Sequence, residues 1–134
     1  MSNYYNTGYQ NPVDHHIPTE DRTAAALAHF STIIAMVISV GWLSFAGPLL
    51  MWLMYKDRSR YVRHAAAGAF NFNIWANIMM IIGQVLCYTL ILIPVGVPMI
   101  IIAAILMLWT HTRAGLRALQ GQDYSYRHQL RILS

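Results

Sequence analysis

The charges in this chain are spaced so unevenly that the gaps between them decide what it can fold into. No Lys, Arg, Asp or Glu lies between Arg22 and Lys56, and none lies between Arg63 and Arg113. A soluble helix rarely stays uncharged over even about 18 residues, because one of its faces must meet water. Both gaps therefore read as membrane-spanning sequence. Composition agrees, with 57% of residues hydrophobic, 10% charged and a mean hydropathy of +0.41, against roughly 25% charged in ordinary globular domains.

The first gap, residues 23–55, is 33 residues long. As one helix it would measure about 50 Å, while a bilayer's hydrocarbon core is about 30 Å thick. Gly41, Gly47 and Pro48 interrupt it, and Pro48 suits the first turn of a new helix. The expectation is a hairpin turning near residues 42–47. Its first leg has about 20 residues and its second only about 10–14, so the second is short or partly re-entrant. Thr19 is expected to cap the first leg, with Glu20 and Asp21 at the positive end of the helix dipole. The second gap holds 48 residues, 65–112, and Pro94, Gly96 and Pro98 are expected to form the turn that splits it into two spans. The predicted fold is thus an all-α polytopic membrane protein with four transmembrane segments in two hairpins. Reading residues 23–55 as one steep helix would give three spans with the N-terminus outside, and the Gly and Pro breaks oppose that.

Both predicted turns lack charge, whereas the loop with Lys56, Asp57, Arg58, Arg60 and Arg63 and the tail with Arg113, Arg117, Arg127 and Arg131 are basic. The positive-inside rule then places both termini in the cytoplasm, with the expected spans in the plasma membrane. The same rule accounts for the net charge of +4 and the pI near 9.5 without a nucleic-acid partner. Three stretches follow: a disordered cytoplasmic tail over 1–18, rich in Tyr, Asn, Gly and Gln; a membrane domain over 19–118; and a basic cytoplasmic tail over 119–134. The opening residues contain no apolar core of a signal peptide, so insertion is expected to begin with the first span. The single cysteine, Cys87, allows no internal disulfide and no cysteine-based metal motif.

Some segments resemble a known family. "ALAHFS" around His29, the run from Gly47 to Phe72 with Pro48, Trp52, Lys56, Asp57, Ser59, Tyr61, His64, Ala69 and Asn71, and "ALQGQDYSY" from Ala118 to Tyr126 resemble a bacterial family grouped with the twenty-kilodalton inner-envelope subunit of the chloroplast protein-import translocon. The resemblance implies a four-helix membrane domain and a distant link to protein translocation. Arg127 stands where such proteins usually have Pro.

The third segment carries the chain's densest intramembrane polarity. Asn73, Asn77 and Gln84 fall within a stripe about 40° wide at 100° per residue, extended by Ala66, Ala69, Met80 and Cys87. Carboxamides facing lipid are costly, so packing against other helices is the favoured use and a polar passage or partner groove the sharper one. Ala65, Ala66, Gly68 and Ala69 supply a small-residue patch for close helix packing. Lys56, Asp57, Arg58, Arg60 and Arg63 are candidates for a partner or anionic lipid headgroups, and Asp57 with Ser59 is expected to cap the helix that follows. His29, His64 and His111 come from three segments but lie near the same predicted membrane face. Their spacing fits no metal motif, and hydrogen bonding to neighbours is the favoured reading. Tyr124, Tyr126, His128, Leu130 and Ile132 alternate with polar residues as in an extended or interfacial segment.

No nucleophile elbow, phosphate loop or paired carboxylates appear, and there are only five acids. The expectation is a non-catalytic accessory or scaffolding subunit of a larger membrane complex of respiratory or translocase type, with no cofactor, embedded in lipid among other membrane subunits. The alternatives are a protein- or solute-translocation pathway lined by the polar stripe and a protein that binds anionic lipid.

Overall fold

A computed structural model describes residues 17–126 and 131–134. The expected N-terminal tail lies outside the described residues as far as residue 16, and so do Arg127, His128, Gln129 and Leu130 of the C-terminal tail. Four helices follow one another: α1 (Thr19–Ile38), α2 (Ala46–Tyr55), α3 (Arg60–Tyr88) and α4 (Ile93–Leu119). Among the described residues there is no strand. Three helices, α1, α3 and α4, are long and apolar enough to cross a membrane. With ten residues, α2 rises only about 15 Å, half of what a span requires. The chain is a multi-pass membrane protein with three long helices and one half-length leg, so the second of the four expected segments is short, and α2 alone does not cross.

The helix termini show where sequence signals were read correctly and where they were displaced. Pro18, not Thr19, precedes α1, and no side chain caps it; the Thr19 carbonyl accepts a bond from the Thr23 hydroxyl instead. At its other end α1 stops because Val40 and Gly41 both take left-handed backbone conformations, with φ of 53° and 89°. The Gly41 N–H then closes on the Met36 carbonyl at 2.7 Å, the bond that ends a helix in a Schellman turn. A Cβ on Gly41 would run into the sulfur of Met80. Pro48 does lie in the first turn of α2.

Ser59 caps α3 by accepting from the Val62 N–H, and its own hydroxyl donates to Asp21 at 2.7 Å. Asp57 is exposed and is not the cap. The turn between α3 and α4 also moves: it occupies residues 89–92, and Pro94, Gly96 and Pro98 lie inside α4. Pro94 is tolerated in the first turn because the first N–H groups have no partner there anyway, whereas Pro98 lies inside the helix and lacks the N–H that would bond to the Pro94 carbonyl.

Helix α3 is central, touching α1, α2 and α4, while α2 and α4 do not meet. Ala65, Ala66, Ala67 and Ala69 are buried in this centre, but Gly68 is only half-buried. Besides Gly41, tight glycine contacts lie at Gly83 against Gly96, Gly47 against Ser31 and Gly115 against Phe30. A Cβ on Gly83 would meet the Gly96 carbonyl oxygen at 3.0 Å, so the two glycines set how near α3 and α4 approach. Outward faces carry exposed apolar residues such as Ile34, Leu50, Ile101, Ile105 and Trp109, as a lipid-facing surface requires.

One end of the bundle gathers the charges. The start of α3 is tied to the start of α1 by Ser59 and Asp21, and to the end of α4 by Tyr61, whose hydroxyl donates to the Ala118 and Gln122 carbonyls at 3.1 Å each. Lys56, Arg58 and Arg60 are exposed there. Lys56 lies over the Trp52 ring at 5.7 Å, and Arg63 reaches the Lys56 carbonyl at 3.4 Å.

Candidate functional site: a buried polar chain through the bundle

Seven residues, 39–45, separate α1 from α2 without forming a helix, and they lie against the middle of α3. Non-helical backbone at membrane depth needs partners for its carbonyls, since lipid supplies none. Three of the four carboxamides of α3 are those partners. Gln84 donates to the Val40 carbonyl at 3.2 Å, Asn77 to that of Trp42 at 3.1 Å, and Asn73 to that of Ser44 at 3.1 Å. Each steps two residues along the linker as α3 steps back toward its start, so the amides close on it like a zipper.

Each amide oxygen is used as well. Gln84 accepts from the Trp42 indole at 2.8 Å, Asn77 from the Ser44 hydroxyl at 2.6 Å, and Asn73 from His111 Nε2 at 2.9 Å. The side chains of Asn73 and Asn77 are buried, and that of Gln84 is half-buried. The stripe therefore faces protein, and its polar atoms are spent inside the chain.

Asn73 joins this zipper to a second cluster nearer the charged end. Its amide nitrogen also donates to Thr32 at 3.0 Å, while its oxygen faces His111. Tyr126 arrives on the non-helical segment after α4, with its hydroxyl 2.8 Å from His29 Nδ1 and 3.3 Å from His111 Nδ1. All three side chains are buried, and the Tyr126 ring stacks on Phe72 with centroids 5.0 Å apart.

The protons follow from the partners. Because the Ser44 carbonyl can only accept, the Asn73 nitrogen must face it, and the amide oxygen must face His111. His111 Nε2 then carries the proton and its Nδ1 is bare. With neutral imidazoles, one arrangement gives every contact a proton: His29 Nδ1–H donates to the Tyr126 oxygen, and Tyr126 O–H donates to His111 Nδ1. Burial, assisted by Tyr124, pushes the Tyr126 hydroxyl well above its ordinary pKa, which keeps that proton in place.

Of the three histidines singled out in the sequence, His29 and His111 thus meet, with ring centroids 6.0 Å apart. His64 does not join them. It pairs with Asp123 at 2.9 Å through its own Nδ1, close enough for both groups to act electrostatically on His29. Among the described residues, no three His, Cys, Asp or Glu side chains converge as a metal set.

Sequence reasoning passed over Tyr126 and Asp123 as site residues, and it passed over what Asn71 does. Asn71 accepts from the Ile132 and Leu133 N–H groups at 2.9 and 2.8 Å and donates to the Leu133 carbonyl at 2.8 Å. The Trp52 indole holds the Ser134 carbonyl at 3.2 Å. An amide on an apolar helix is a signal in principle, but nothing local says which distant backbone it reads. What had been read as a basic tail after residue 118 is, over 120–126 and 131–134, chain laid back on the bundle.

No curated protein and no solved structure matches this chain. The resemblance to the chloroplast import subunit is overturned, because the segments that suggested it, 47–72 and 118–126, fall inside a match to a different family. That match runs over residues 20–133, all four helices and most of the C-terminal segment, and by it the chain belongs to the magnetosome magnetite crystal formation protein family.

Proposed function

We propose that this protein is a non-catalytic structural subunit of the magnetosome membrane that acts in magnetite crystal formation within a larger membrane assembly. The observation that carries the reading is the family match across the whole helical domain. On this reading the host is an assembly in the membrane around the mineral rather than a respiratory or translocase complex of the plasma membrane. The charged end faces the cytoplasm with both termini, following the positive-inside rule, and the exposed Lys56, Arg58 and Arg60 rest among anionic headgroups.

The pairing of all three stripe amides with the 39–45 linker supports a scaffold over a conduit, since a pathway would need those groups turned toward a passage. Other subunits pack against the apolar faces of α1 and α4. The test is deletion in a magnetite-forming bacterium with complementation by the wild-type chain, reading crystal size and shape by electron microscopy. Altered crystals restored by the wild type are expected, and unchanged crystals in the deletion strain would sink the reading.

A further inference from the structure

The cluster at the charged end is built like a coordination site. Ligand atoms bound to one transition-metal ion at about 2.0–2.1 Å lie roughly 2.8–3.4 Å from one another, from octahedral to tetrahedral geometry. The separations of 2.8 and 3.3 Å between the Tyr126 oxygen and the two Nδ1 atoms match that spacing. Asn73 adds the outer support: metal-binding histidines usually donate their second N–H to an oxygen that fixes the ring and its tautomer. The Asn73 carbonyl does so at His111 Nε2, leaving Nδ1 as the bare donor. Phe72, Met107 and Ala114 wall the cluster with apolar surface.

We infer that His29 Nδ1, His111 Nδ1 and the Tyr126 oxygen form a binding site for a ferric ion. The donors themselves call for a cation; its identity as iron rests on the magnetite role proposed above and on the preference of a hard trivalent ion for a phenolate with imidazoles. Binding breaks the Tyr126 O–H bond and sends that proton to solvent, while the Nδ1 proton of His29 moves to Nε2. No electron is transferred. Water or the anion that delivers the ion fills the remaining coordination positions. Entry needs the non-helical segment 122–126 to lift, releasing the Gln122 N–H from the Arg117 carbonyl, the Gln122 carbonyl from the Tyr61 hydroxyl and Asp123 from His64.

The experiment uses the full chain purified in detergent, exposed to ferric nitrilotriacetate and desalted, with retained iron measured by mass spectrometry and the tyrosinate-to-iron charge-transfer band by visible absorption. About one ion per chain and a visible band are expected. Tyr126→Phe keeps the ring on Phe72 and loses only the hydroxyl; it should abolish the band and lower retained iron about tenfold or more. Tyr124→Phe, at a neighbouring phenol outside the cluster, should change neither. His111→Gln, checked for a native elution profile, should behave like Tyr126→Phe.

No retained iron in the wild type would overturn the proposal. So would a band that persists in Tyr126→Phe, which would point to the tyrosines of the N-terminal segment, or retention of Zn(II) but not Fe(III) on the same residues. Because this assay needs no magnetite-forming cell, the iron site and the magnetosome role stand or fall separately.

Discussion

The two halves of the polar chain, which meet at Asn73, use buried polarity in opposite ways. In the zipper, side-chain amides meet main-chain carbonyls at Val40, Trp42 and Ser44. Those carbonyls cannot find other partners unless the linker itself unfolds. In the His29–Tyr126–His111 cluster, side chain meets side chain, and Tyr126 is delivered by a segment with no helix of its own. The first arrangement makes a broken helical leg tolerable inside a membrane; the second leaves donor atoms that can change partners. Polarity within a bilayer is thus not by itself a sign of transport or binding. What matters is whether its partners are backbone, which is committed, or exchangeable groups.

Asn73→Leu should break the comparison most severely, because Asn73 serves both halves. It would orphan the Ser44 carbonyl and His111 Nε2–H and take away the donor to the Thr32 hydroxyl oxygen, at a cost on the order of 3 kcal/mol or more. Thermal unfolding in detergent should show the largest loss of the series, and a loss equal to that of Gln84→Leu would mean that the halves are not coupled. Next comes Asn77→Leu, which strips the Trp42 carbonyl and the Ser44 hydroxyl and should cost about 1–3 kcal/mol. If the mutant folds, backbone amides of residues 40–45 should exchange faster while those near Tyr126 keep their protection. Faster exchange at both places would erase the distinction.

Tyr126→Phe removes exchangeable side-chain bonds but keeps the ring stacked on Phe72, so its expected cost is about 1 kcal/mol, with linker exchange unchanged. Gln84→Leu is the mildest. Gln84 is half-buried at the outer end of the zipper, and the change should cost about 0.6 kcal/mol, near the average for polar contacts between membrane helices. A larger effect would show that the left-handed backbone at Val40 depends on this amide more than its position suggests.

Much of the architecture was legible in the chain because membranes impose simple rules. Uncharged gaps longer than about 18 residues mark spans, the Gly and Pro breaks mark where one must stop, and the stripe of Asn73, Asn77 and Gln84 reveals a face that cannot meet lipid. The misplaced features were local. Pro94 to Pro98 signalled a break correctly, but a proline such as Pro94 suits the first turn of a helix as well as the loop before it, so the turn fell at 89–92 and Pro98 lies inside α4. Asp57 and Ser59 were both plausible caps, and only the approach of Asp21 from α1 selects how Ser59 is used.

The sequence by itself determined that this chain enters a membrane, that its second leg is short, and that α3 must turn its amides inward. Each of these follows from transfer energies that depend on residue type and helical period alone. Only the tertiary structure decided what the amides hold, that Asn71 grips the chain's own end, and that two histidines 82 positions apart share the hydroxyl of Tyr126. Those pairings depend on which helix faces which and on a segment folding back after α4, and no local period encodes the partner across such distances.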